Sequence, residues 1–254
     1  MSTNTSPNQL NGKPETTGDM RLKLKVLLRV VIFTLIMAAI WYITSGRLDW
    51  VMGWAFIGAY MIIAAVAALI VPLDPELTEE RTQIKEGVKV WDKWIVIILN
   101  IWTPLGMLIL AGLDVRFGWP PEIPLALQIA TLVLAVLGYL VSVWAAASNK
   151  FYGRFVRIQK ERGHTVVTGG PYQYVRHPGY AGLIIFYFAA ALALGSLWTL
   201  VPSGLSVLLT VARTALEDRT LTQNCRVTPS TPSRRATVCC QAFGRLVCWL
   251  PDRS

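Results

Sequence analysis

The chain alternates long apolar blocks with short polar ones. Four blocks, Val26–Thr44, Trp50–Val71, Trp94–Gly112 and Leu125–Ala147, are each roughly 19 to 23 residues long, against the ~20 an α-helix needs to cross a bilayer. A fifth, Ala181–Ala212, is interrupted at Gly195-Ser196 and again at Pro202. Glycine and proline at those points predict two short helices folded as a hairpin, not one span. The expected fold is therefore all-α: a polytopic transmembrane helical protein with four full spans plus a C-terminal helical hairpin.

Composition supports the membrane reading. Of 254 residues, 54% are hydrophobic and only 15% charged, where a soluble domain carries about a quarter charged residues. Residues 1–20 are polar and lack the basic-then-apolar order of a signal peptide. They read as a disordered cytoplasmic tail, with the first helix as an uncleaved anchor. The rest divides into N-terminal transmembrane helices over 21–148, a loop-and-hairpin region over 149–221, and a tail of different character over 222–254.

Basic residues cluster in alternate connections. Arg21, Lys23, Lys25 and Arg29 lie at the start of the first helix. Arg81, Lys85, Lys89 and Lys93 fill the second loop, and Lys150, Arg154, Arg157, Lys160 and Arg162 follow the fourth span. The other loops hold only Arg47 and Arg116. This bias predicts cytoplasmic N- and C-termini. It also accounts for the net charge of +9 and gives no support to a nucleic-acid partner, because no separate basic domain exists. The mixed charges of Asp74–Lys93 read as an amphipathic or solvated cytoplasmic helix without chemistry of its own.

Chemistry concentrates in His164–Tyr180, HTVVTGGPYQYVRHPGY, which holds both histidines of the chain. One reading is a connecting loop that turns at Gly169-Gly170-Pro171. A metal site is disfavoured, since two histidines 13 apart with no Cys, Asp or Glu between them lack the three or four ligands zinc needs. The functional reading is a site for an anionic or zwitterionic ligand. Gly169 and Gly170 permit close backbone approach, Arg176 can grip a carboxylate in a fork, and Tyr172, Tyr174 and Tyr180 offer aromatic faces. Further on, Arg213 and Glu217 stand four apart and so share one helix face. Taken alone, they read equally well as a surface ion pair contributing under ~1 kcal/mol.

GPYQYVRHPGY, preceded by His-x-x-Val-Thr-x-Gly, closely resembles the cofactor segment of the isoprenylcysteine carboxyl methyltransferase family, which includes phospholipid methyltransferase-like membrane enzymes. PELTEER at Pro75–Arg81, WDKW at Trp91–Trp94 and LDVRFGW at Leu113–Trp119 look like bacterial members, and the resemblance spans about Trp50 to Leu221. It implies S-adenosyl-L-methionine as cofactor, contacted by His164, Thr165, Val166, Val167, Gly170, Tyr172, Arg176, His177, Pro178, Gly179 and Tyr180. It also implies that Arg213 faces the substrate and Glu217 the cofactor. The implied partner is a lipophilic small molecule or prenylated substrate drawn from the lipids of a bacterial cytoplasmic membrane.

Methyl transfer from a sulfonium is an in-line displacement that needs alignment and desolvation. A carboxylate acceptor is already ionised and needs no general base. An amine must first lose a proton, for which His177 and Glu217 are the candidates. Carboxyl methylation of an isoprenylcysteine-like or lipid acid is therefore the first expectation. A phospholipid amine methyltransferase, an NADPH-dependent membrane reductase and a catalytically inactive member are the rivals.

From Thr222 the composition shifts. Lysine disappears, and all four cysteines fall at Cys225, Cys239, Cys240 and Cys248, with no zinc-like spacing and, on the cytoplasmic side, little prospect of disulfides. The family's pattern continues at this point as Glu-Leu-x-Gly-Tyr-x-x-Tyr. Codons for Gln223–Pro232, read from the third base of each, can encode Glu-Leu-Pro-Gly-Tyr-Ala-Glu-Tyr-Ala. A shifted reading frame starting near Leu221 is the expectation that follows.

Overall fold

The computed structural model describes residues 17–71, 89–149, 151–153 and 167–225. These residues form six principal helices and no strands. In chain order they are α1 (Thr17–Ser45), α2 (Val51–Ile70), α3 (Val90–Phe117), α4 (Leu125–Ser148), α5 (Pro178–Ala193) and α6 (Leu200–Cys225). A 3₁₀ turn at Gly170–Gln173 precedes α5, and another at Leu197–Thr199 precedes α6.

Five helices are long and apolar enough to cross a membrane: α1, α2, α3, α4 and the Leu197–Arg219 stretch leading through α6. The expected C-terminal pair of short helices is thus half corrected. The break at Gly195 is present, with φ at +74° and Ser196 Oγ accepting from the Trp198 amide. Pro202, in contrast, interrupts nothing. It is the third residue of α6, where the missing N–H has no intrahelical partner to lose. α6 therefore runs 26 residues, and only the 16-residue α5 is short.

α3 also extends beyond the predicted Trp94–Gly112. It stays helical through a π turn at Ile98–Trp102. Such a turn displaces backbone carbonyls from the regular ladder, and the Leu99 carbonyl is taken by the Tyr187 hydroxyl of α5 at 3.1 Å. Thr103 on α3 bonds Ser206 on α6 at 2.7 Å, a buried tie between the two helices.

The tightest packing is between α4 and α5. Gly138 and Gly182 face each other, so that a Cβ on Gly138 would stand 2.9 Å from the Gly182 carbonyl, and one on Gly182 would meet the Gly138 carbonyl and Ser142. Small residues of this kind let membrane helices approach backbone to backbone. Ser142 Oγ then donates to the Gly179 carbonyl at 2.8 Å, pinning the first turn of α5 to α4. The bundle core is Met37, Trp41, Met107, Leu108, Ala189–Ala191 and Leu194. Leu28, Ile32, Leu35 and Ile36 on α1, and Val201, Leu205 and Leu208 on α6, stay exposed, as helices bathed in lipid require.

Candidate active site

The site forms where the 3₁₀ turn, the start of α5, the start of α3 and the last third of α6 converge. Pro178 occupies the first position of α5, suited to its fixed φ and absent N–H, which leaves His177 as the residue before the helix. Three residues on, Tyr180 lies on the same face, and the two rings stack at 5.7 Å with 21° between planes.

α6 supplies the facing groups. The Tyr180 hydroxyl donates to Glu217 Oε2 at 2.6 Å. His177 Nε2 lies 2.9 Å from Asp218 Oδ1. One turn back, the Arg213 guanidinium stands 5.4 Å from the Tyr180 ring centroid, a cation–π arrangement. The i, i+4 spacing of Arg213 and Glu217 thus places both beside Tyr180, Arg213 over its ring and Glu217 at its hydroxyl.

Arg213 is not a surface residue. It is buried, and its Nε donates to Asp92 Oδ1 at 2.7 Å, with Nη2 at 3.4 Å from Oδ2. The isolated surface-pair reading of Arg213 and Glu217 is overturned, because the guanidinium reaches across to α3 instead. The expectation for the Asp74–Lys93 segment also needs correction. Residues 72–88 lie outside the described residues, but Asp92 is fully buried in the first turn of α3, not on a solvated face. Two signals were visible for it: an acidic residue flanked by tryptophans in WDKW, and a first-turn position favourable to a carboxylate near the helix dipole. Asp218 was also missed, since its pairing with His177 spans 41 positions of sequence.

The loop half is partly in place. Gly170 has φ at +61°, and a Cβ there would come within 2.6 Å of Ser148 Oγ, so glycine is required for the turn to seat against the end of α4. Tyr172 is half-buried and accepts from Asn149 Nδ2 at 3.3 Å. Burial raises its phenol above the ordinary value, partly opposed by that hydrogen bond, so the hydroxyl is neutral at physiological pH. Gly179 packs against Tyr152, whose hydroxyl would stand 3.2 Å from an added Cβ. Tyr174 and Arg176 are exposed, and Val167 is half-buried. His164, Thr165 and Val166 lie outside the described residues.

Residues 127–225 match the family model described as phospholipid methyltransferase. The matched stretch covers nearly all of α4, the loop, α5 and α6, and thus every site residue named above except Asp92. Its similarity is to membrane methyltransferases. No curated protein and no solved structure matches the chain.

Proposed function

We propose that this protein is an integral membrane S-adenosyl-L-methionine-dependent methyltransferase that modifies a lipophilic substrate, by carboxyl O-methylation of an isoprenylcysteine-like or lipid acid. The carrying observation is the Arg213–Tyr180–Glu217 cluster, with its guanidinium, aromatic ring and carboxylate held together at one end of the bundle.

The residues fit the cofactor. Glu217 offers a negative charge to a sulfonium, Tyr180 and Tyr172 offer ring faces, and the Gly169-Gly170 turn offers backbone to a carboxylate or ribose. When bound, S-adenosyl-L-methionine supplies an electrophilic methyl group. Glu217 orients the positive centre, with its own position fixed by Tyr180. Arg213 draws the acceptor carboxylate in and aligns one oxygen for in-line attack. No proton needs to move.

The lipophilic tail has a candidate berth. An apolar crevice between α2, α4 and α5 is lined by Phe56, Tyr60, Ile63, Leu132, Tyr139 and Phe186. Phe186 is seven residues from Gly179 on α5, about 10 Å along a helix. The second reading is amine N-methylation of a phospholipid. It is favoured by the description of the matching family and by the His177–Asp218 pair, which can accept the proton an ammonium must lose. The basic-residue bias supports a site on the cytoplasmic side of a bacterial inner membrane.

Calorimetry in detergent is expected to give saturable binding of S-adenosyl-L-methionine and none of NADPH; NADPH binding alone would point to the reductase. Radiolabelled methyl transfer to S-farnesyl-N-acetylcysteine should yield a base-labile ester. A base-stable product on phosphatidylethanolamine vesicles would establish the amine reading instead. Tyr180→Phe keeps the ring but removes the donor to Glu217, and hydrogen bonds to charged groups contribute about 1.5–3 kcal/mol. Cofactor affinity should therefore fall at least about tenfold.

The reading includes a frame change near Leu221 that replaced the segment following α6 with residues 222–254. Sequencing the gene tests this directly. One of the two alternate frames should encode Glu-Leu-Pro-Gly-Tyr in place of Gln223-Asn224-Cys225-Arg226-Val227 and beyond; its absence from both sinks the idea. The frame-restored protein should methylate faster than the present chain.

A further inference from the structure

Asp92 is the one charged side chain of this site that lies outside the family-matched stretch. Its carboxylate is fully buried, and burying a charge is costly unless it is paired and hydrogen-bonded. The pairing geometry is particular. The short contact is to Nε of Arg213 at 2.7 Å, and the longer one is to Nη2 at 3.4 Å. Asp92 therefore takes the guanidinium from the side, along the edge nearest the Arg213 chain. That grip restrains rotation about the last single bonds of the side chain. The face of the guanidinium is set separately, by the Tyr180 ring at 5.4 Å. Edge and face together leave the fork one orientation.

Arginine carries considerable rotamer freedom, and a fork that must be ordered at each turnover loses binding free energy to entropy. A group that fixes the fork in advance lowers that cost. We propose that Asp92 is a positioning residue for methyl transfer: it holds Arg213 by its Nε edge so that the guanidinium meets the acceptor already oriented. The assignment rests on the methyltransferase reading above. It makes α3, from the N-terminal half of the chain, part of the catalytic unit. It acts on the acceptor and not on the cofactor, because Glu217 is held by Tyr180 independently of Asp92.

The test uses the full chain, purified in detergent, with Asp92→Asn, Arg213→Lys and the double variant. The same three are made in the frame-restored chain, and the form that binds cofactor is carried forward. Asn keeps the size and one acceptor for Nε, so folding should survive, as a thermal midpoint within a few degrees of the parent verifies. S-adenosyl-L-methionine affinity by calorimetry should stay within about twofold. With whichever probe accepts the methyl group, S-farnesyl-N-acetylcysteine or phosphatidylethanolamine vesicles, kcat/KM for the acceptor should fall at least about tenfold. The double variant should be no worse than Arg213→Lys alone, because both changes remove one device. Additive losses, an unchanged acceptor kcat/KM, or equal loss of cofactor affinity would each overturn the assignment while leaving the methyltransferase reading standing. A parent chain that neither binds cofactor nor transfers methyl, in either form, brings down that reading and Asp92's role with it.

Discussion

Glu217→Gln is expected to weaken S-adenosyl-L-methionine binding by roughly 30- to 200-fold while barely changing the affinity for S-adenosylhomocysteine. The two ligands differ by a methyl group and, with it, the sulfonium charge. Glutamine has nearly the size of glutamate, and its carbonyl oxygen can still accept from Tyr180, so the 2.6 Å hydrogen bond has a successor. What disappears is the charge. Two unit charges ~4 Å apart attract by about 4 kcal/mol at an effective dielectric near 20. Glu217 is only half-buried, so solvent screens part of this. A residual ~2–3 kcal/mol corresponds to the stated range, at tenfold per ~1.4 kcal/mol. Titrating both ligands into parent and variant is decisive. Equal losses for the two would mean that Glu217 contributes packing or hydrogen bonding and does not face the sulfonium. No loss for either would remove it from the site.

The sequence carried the membrane architecture because burial in lipid leaves a coarse signature. Blocks of about twenty apolar residues survive any local irregularity, and four of the five crossing-length helices were legible as such. The fifth was misread at Pro202, where a residue that breaks helices in their interior is harmless in the first turn. The π turn at Ile98–Trp102 left no comparable trace, since its cause lies in the Tyr187 hydroxyl of another helix. The loop chemistry was legible from residue types, and the Arg213–Glu217 spacing from helical geometry. Asp92 was hidden for a physical reason. A charged segment next to a membrane reads as solvated, and nothing local reports that one of its carboxylates turns inward to meet an arginine 121 positions away. The His177–Asp218 pairing is of the same kind: each partner is ordinary until the fold brings them together.

Gly182→Leu should be among the most destabilising single changes in the bundle, costing about 3 kcal/mol or more. Overpacking of a well-filled interface typically costs ~1–3 kcal/mol, and here the obstacle is backbone, which cannot rotate away. An added Cβ would meet the Gly138 carbonyl, the Ser142 hydroxyl and, at 2.9 Å, the Ser142 amide. The α4–α5 crossing must then open. Gly58→Ala on α2 is the matched control, because a Cβ there meets nothing within 4 Å. Replacing glycine by alanine inside a helix stabilises by roughly 0.5–1 kcal/mol, so the two substitutions should move the thermal midpoint in opposite directions. The consequence reaches the chemistry. Ser142 pins the Gly179 carbonyl, and Gly179 lies between His177 and Tyr180. Separating the helices therefore draws both rings away from Asp218 and Glu217. Gly182→Leu should lose cofactor affinity even at temperatures where its helix content is intact, whereas Gly58→Ala should keep it. A Gly182→Leu protein with the parent's midpoint would mean that α4 and α5 do not cross at this glycine pair.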